Sequence, residues 1–211
     1  MKQKEQQPMT EESSVFVAVV GRPNVGKSSL VNRLVGEKVA IVTSRPQTTR
    51  TRITGILTVD ALQYVFLDTP GIHKARTKLG TRMVKAAEES VGDVDVVAML
   101  FEPYGEWNEA EQGLMEDIRQ QKTPAIAVIN KCDTLKRADD LLPRMKQLQD
   151  TGLFAEILPT STVDGSGTQQ LLQTLAGYAS PSPHYFPDDS YTDTPEKVLV
   201  AEILREKMLL N

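Results

Sequence analysis

The chain has 211 residues, 40% of them hydrophobic, which is enough apolar material for one full core and part of a second. A formal net charge of −4 and a pI near 5.3 exclude an overall basic field that recruits nucleic acid, so any such contact needs a local patch or a further segment. The lone cysteine, Cys132, excludes an intramolecular disulfide and suits a reducing, cytoplasmic setting.

Taken in chain order, residues 1–14 are polar, without the apolar core of a signal peptide or membrane span, and read as a disordered lead-in. The runs SVFVAVV, VDVVAMLF, PAIAVIN and AEILPTS are short and apolar. Each precedes an amphipathic stretch: VGKSSLVNRLV, EWNEAEQGLMEDIRQQ, ADDLLPRMKQLQD and GTQQLLQTLAGY. This alternation predicts an α/β fold, a mostly parallel six-stranded sheet with helices on both faces. Pro143 stands early in its helical stretch, where a first turn tolerates it. Only Asp60 and Ala61 separate RITGILTV from LQYVFLD, so these two form a hairpin and supply one antiparallel edge strand. The main α/β unit is expected over 15–180, followed by a linker over 181–194 rich in proline, aromatic and acidic residues. A helix starting near Pro195 carries apolar residues on more than one face and expects to be surrounded.

Between the first strand and the first helix, Gly21, Gly26, Lys27 and Ser28 fit the phosphate-loop pattern G-x-x-x-x-G-K-[ST]. The glycines let backbone N–H groups converge on phosphate oxygens at a helix N-terminus. Arg22, Pro23, Asn24, Val25 and Ser29 complete the nucleotide-binding stretch. Lys27 would reach the β- and γ-phosphates, and Ser28 would ligate Mg²⁺. Such a loop serves ATP and GTP alike, and NKCD decides the base. Asn130, Lys131 and Asp133 follow an apolar strand, at the end where open α/β sheets bind ligands. Asp133 can accept from guanine N1–H and the 2-amino group, a match adenine does not offer. Asn130 either bonds the N7 and O6 edge of the base or braces the phosphate loop, and Lys131 can lay its methylenes along the ring. Asp68, at a strand end, would hold Mg²⁺ through water, while the Gly71 N–H would sense the γ-phosphate. Thr49, with Thr48 as the alternative, supplies the second hydroxyl on Mg²⁺ from TSRPQTTRTR. Ser161 and Thr162 in PTSTVDG offer backbone N–H groups to guanine O6.

In that order, GRPNVGKS, SRPQTTRTRI, DTPGIHK, ESVGDVDVV and NKCD, with the tail HYFPDDSYTD…AEILREK, resemble the Era family of ribosome-assembly GTPases over nearly the whole chain. The resemblance implies a GTPase domain that binds GTP and GDP with Mg²⁺, followed by a KH domain that engages small-subunit ribosomal RNA. Residues 195–211 would be that domain's first helix. It also implies a mostly cytoplasmic protein with peripheral contact at the inner membrane. Thr162 stands where the family usually has alanine, a harmless change if the contact uses backbone. Asn24 matches the asparagine that coordinates K⁺ in related potassium-dependent GTPases; the alternative is that it suits a tight loop. Asn24, Lys27, Thr49 and Gly71 are thus the expected catalytic set. Ile72 replaces the water-orienting glutamine of Ras-type enzymes, which predicts intrinsic turnover no faster than ~10⁻⁴ to 10⁻² s⁻¹. His73 is expected to be a switch-loop residue rather than a base. The competing functions are a GTPase switch of another translation-factor-related class, a nucleotide-locked scaffold without significant hydrolysis, and an ATP-dependent kinase, which NKCD opposes.

Overall fold

The first strand, β1, runs from Ser13 to Gly21 and is buried along nearly its whole length because it lies in the middle of a sheet covered on both faces. The computed structural model describes residues 11–40, 53–68 and 94–210. Six strands take the order β2-β3-β1-β4-β5-β6, where β2 is Ile53–Val59, β3 Leu62–Asp68, β4 Val96–Phe101, β5 Ala125–Ile129 and β6 Glu156–Pro159. All neighbouring pairs on this path are parallel except β2 with β3, the expected edge hairpin. Asp60 makes its turn with φ 53°, a left-handed conformation that aspartate tolerates.

Two differences from the sequence reading concern one corner of the sheet. A seventh strand, β7 (Ser180–Pro181), pairs antiparallel with Ser13 and Ser14. For the same reason β1 starts inside the expected lead-in: Ser13 and Ser14 are 1% and 3% exposed, and a strand this covered must have its backbone paired.

Alternation along the central strands builds two cores. Val15, Val17 and Val19 of β1, Ala98 and Leu100 of β4 and Val128 of β5 face helices α1 (Lys27–Val35) and, through Leu171 and Leu175, the helix Thr168–Ala176. Ala18, Val20, Met99, Phe101 and Ile129 face the other way, toward α2 (Glu109–Gln121) and α3 (Leu142–Asp150); Thr168–Ala176 is therefore α4. A residue shift along any of these strands would exchange the two faces. Helix α2 starts with a capping box in which the Asn108 side chain accepts from the Glu111 N–H at 2.9 Å and Glu111 returns the bond at 3.0 Å. The stretch ADDLLPRMKQLQD forms a 3₁₀ turn, Ala138–Leu141, before α3 begins, because Pro143 lacks the N–H a continuous helix needs there. The last helix, α5 (Glu196–Leu210), leaves Val198, Val200 and Leu204 43%, 49% and 60% exposed. Among the described residues no helix is long and apolar enough to cross a membrane.

Candidate guanine-nucleotide site

Parallel pairing places the ends of β1, β3, β4, β5 and β6 along one rim of the sheet, and the expected binding residues follow those ends. The turn after β1 is shaped by what surrounds its glycines. Gly21 has φ 142°, and a Cβ there would stand 2.7 Å from the Leu100 carbonyl oxygen. Gly26 has φ 104°, and its Cβ would stand 2.2 Å from Asn130 Nδ2. No larger residue fits either place. Gly26 caps α1 without a side-chain hydrogen bond, so the helix opens on backbone alone, as a phosphate cradle requires. Asn24 lies between them at φ 62°, a conformation asparagine adopts more readily than most residues.

Lys27 is 6% exposed, and its ammonium crosses the loop to donate to the Gly21 carbonyl at 3.1 Å and the Arg22 carbonyl at 2.9 Å. It is therefore held over the hollow where phosphates would lie. Ser28 occupies the first turn of α1. Asp68 closes β3 in register with Val19 of β1, two residues short of Gly21, which brings a carboxylate-bearing position to the same rim as the Ser28 hydroxyl. Hydroxyl and carboxylate oxygens suit Mg²⁺, which usually takes only one or two protein ligands and completes its shell with phosphate and water. Thr48, Thr49, Gly71, Ile72 and His73 lie outside the described residues.

At the base end, Asn130 is fully buried and donates through Nδ2 to the Val25 carbonyl at 2.9 Å. Of the two roles open to it, the geometry gives it the brace on the phosphate loop. Lys131 then turns the chain with φ 65° into a 3₁₀ turn, Cys132–Thr134. Asp133 is exposed, with one carboxylate oxygen accepting from Ser161 Oγ at 2.7 Å. Ser161 is fully buried and also receives the Val163 N–H at 3.2 Å and the Asp164 N–H at 3.4 Å on its hydroxyl. The expectation for its backbone changes here: the Ser161 N–H donates to the Ser166 carbonyl at 3.0 Å and is not available to a base. Of the four N–H groups in 161–164, those of Ser161, Val163 and Asp164 are engaged within the turn, which leaves that of Thr162. Cys132 packs against the second core, and burial pushes its thiol up from the ordinary range.

Sequence reasoning missed Glu102, the residue directly after β4. Its carboxylate bonds the Arg22 guanidinium through one oxygen and the Lys131 ammonium, at 2.6 Å, through the other. The signal was present: a carboxylate following six fully buried apolar residues stands at the ligand-binding rim of the sheet. Arg22 accordingly directs its side chain at Glu102 and offers its carbonyl to Lys27.

A glycine-lined phosphate turn, a lysine spanning it, and a fixed aspartate at the neighbouring strand ends define a phosphate-loop guanine-nucleotide domain. A 50S ribosome-binding GTPase family model matches residues 16–131. GTPase Era of Clostridioides difficile (strain 630) is 46% identical over 196 residues, which make up 93% of this chain and 66% of the relative, so the chain spans just under two thirds of that protein's length. The crystal structure of Era in complex with MgGDPNP and nucleotides 1506–1542 of 16S ribosomal RNA superposes with a TM-score of 0.88 at 35% identity, over 93% of this chain and 67% of that one. A single-substitution variant of Aquifex aeolicus Era bound to GDP and AlF₄⁻ gives 0.89 at 36% identity, over 94% and 68%. The chain belongs to the Era family of GTPases.

Proposed function

We propose that this chain is the nucleotide-switch part of a ribosome-assembly factor: it binds GTP with Mg²⁺, hydrolyses it slowly to GDP and phosphate, and passes the nucleotide state to a segment that reads small-subunit ribosomal RNA. The observation that carries the reading is the Asp133–Ser161 pair. It presents a carboxylate, held at one edge, beside the one remaining N–H of the 161–164 turn, which together match the donor and acceptor pattern of guanine and not that of adenine.

Within this reading each residue has a defined task. Backbone N–H groups of residues 21–28 and the Lys27 ammonium hold the β- and γ-phosphates, and Ser28, Asp68 and Thr49 hold Mg²⁺. The metal supplies charge neutralisation at the phosphates. Gly71 ties the following segment to the γ-phosphate. Because Ile72 follows it, where Ras-type enzymes carry a water-orienting glutamine, that position does not orient water, which fits a slow switch whose hydrolysis is timed by partners. The RNA partner is supported by the 16S ribosomal RNA bound to the Era relative. The cytoplasm, with peripheral membrane contact, is the setting this family reading assigns.

Asp133→Asn tests the base site. The substitution removes a charge-assisted acceptor, so GDP affinity should fall by at least ten-fold while xanthosine diphosphate, whose 2-oxo group accepts a hydrogen bond, gains. Calorimetric titration with both nucleotides checks it, and an unchanged GDP affinity would refute the assignment.

A further inference from the structure

Glu102 stands where three strands meet. Strand β4 pairs in parallel with β1 on one side, Leu100 opposite Gly21, and with β5 on the other, Phe101 opposite Ile129. The first residue beyond β4 is therefore flanked by Arg22 of the phosphate loop and by Lys131 of the base motif. Its side chain is 19% exposed and those of Arg22 and Lys131 are 23% and 35% exposed, so all three are largely covered. Burial lowers the Lys131 pKa, the mark of an ammonium in a place that penalises charge.

We propose that Glu102 is a positioning residue for the nucleotide, a single carboxylate that locks the Lys131 side chain to the phosphate loop. With its ammonium fixed on Glu102, the Lys131 stem is stretched along the rim between Asp133 and the phosphate turn, which is the shelf a guanine ring would lie on. Because the other oxygen of Glu102 holds Arg22, the base end and the phosphate end of the site are tied together by one group at the end of a fully buried strand. Without its negative charge the two cations lose their shared partner and repel each other, and the shelf comes loose. The base and the Lys131 shelf beneath it are common to GDP and GTP, so loss of Glu102 should affect both nucleotides alike.

This inference rests on the guanine-nucleotide reading of the site, and dissociation kinetics separate the two. Release of fluorescent GDP and of a fluorescent non-hydrolysable GTP analogue would be followed by stopped flow for the chain and for Glu102→Gln, Glu102→Asp, Lys131→Met and the Glu102→Gln/Lys131→Met double variant. Far-UV circular dichroism would confirm the fold of each. Glu102→Gln should speed release of both nucleotides by about ten-fold, the size of one charge-assisted hydrogen bond, with little change in association. Lys131→Met should do at least as much, and the double variant no more, because both changes break one linkage. Release within two-fold of the unsubstituted rate in Glu102→Gln, effects that multiply in the double variant, or a change confined to one nucleotide would each overturn the proposal. Should Glu102→Gln not fold, Glu102→Asp decides: its shorter arm cannot reach both cations, and unaltered release in that variant would count against the bridge. If the unsubstituted chain retains no guanine nucleotide, the site reading itself fails and this inference falls with it.

Discussion

Asp133, which in the proposed site names the base, owes its position to Ser161, twenty-eight residues away on the next strand's end. Ser161 is buried and uses its hydroxyl three ways, donating to Asp133 and accepting from Val163 and Asp164, so it shapes the turn and aims the carboxylate at once. Removing the hydroxyl should therefore act on affinity more than on stability. Ser161→Ala is expected to weaken GDP binding about five-fold, equivalent to about 1 kcal/mol, a modest value because Asp133 is exposed and water can replace part of the bond. A titration with GDP alongside a melting curve checks both halves. An equal loss of affinity in a variant that melts at the unsubstituted temperature supports aiming; a large drop in melting temperature would make the residue structural.

Among the described elements, α1 is closely seated. It leaves the phosphate turn and crosses β2 at Gly55, where a Cβ would stand 2.6 Å from Val31 Cγ1 and 3.1 Å from Val35 Cγ2. Both valines are buried and β-branched, with one strongly preferred rotamer in a helix, so neither can turn aside. Farther along, Asn32 donates to the Ala40 carbonyl at 2.8 Å and accepts from the N–H groups of Val39 at 3.0 Å and Ala40 at 2.8 Å. One helix thus fixes both the phosphate turn and the start of the stretch leading to residue 41. Gly55→Ala should destabilise the fold by about 1–3 kcal/mol through overpacking, read as a lower urea midpoint at unchanged slope. It should also weaken nucleotide binding, because α1 can relieve the overlap only by moving.

At the scale of the whole molecule, the stretch after α4 is a strap laid against the sheet rather than a free tether. Gln63 of β3 is fully buried and accepts the N–H groups of Tyr185 at 2.9 Å and Phe186 at 3.0 Å while donating to the Phe186 carbonyl at 2.9 Å. Ile56 of β2 donates its N–H to the Tyr191 carbonyl at 2.8 Å, and Tyr185 meets Phe16 edge to face at 5.0 Å. The strap therefore binds the two strands whose far ends lead into the segments expected to respond to the γ-phosphate. His184 locks it: the ring pairs with Asp188 at 2.6 Å, and this hydrogen bond, reinforced by the Ala61 backbone and by the charges of Asp188 and Glu12 against a smaller burial effect, raises its pKa. A raised histidine pKa adds stability that is fully present below about 6.5, the unfolded value, and is lost as pH rises through the folded value. Protease protection of residues 181–194 should accordingly be greater at pH 6 than at pH 8.5, and Asp188→Asn should flatten that difference. An identical pH profile in the variant would remove His184 from the account.

The residues legible from the sequence are those whose type is dictated by local chemistry. Gly21, Gly26 and Lys27 announce a phosphate turn because only glycine and a long cation satisfy it, and NKCD announces a base pocket by its spacing from the strand. The hairpin at Asp60–Ala61 and the two-faced burial of β1, β4 and β5 followed from turn length and from alternation, which are properties of neighbours in the chain. Asn130 left two roles open, and the choice depended on Val25 lying across the rim at residue separation 105. The end of an apolar strand marked Glu102 as a rim residue but not which groups it joins, and the strap on Gln63 and the two-residue β7 that draws Ser13 and Ser14 into the sheet gave no local pattern to read, since each pairing is defined by a partner that only strand order brings near. Sequence by itself determined which groups this protein carries that are proposed to meet phosphate and guanine, because side-chain chemistry and short spacings are written in the chain. Which group braces which, and how the two ends of the site are tied together, only the tertiary structure decided, because parallel register sets those distances between residues far apart in sequence.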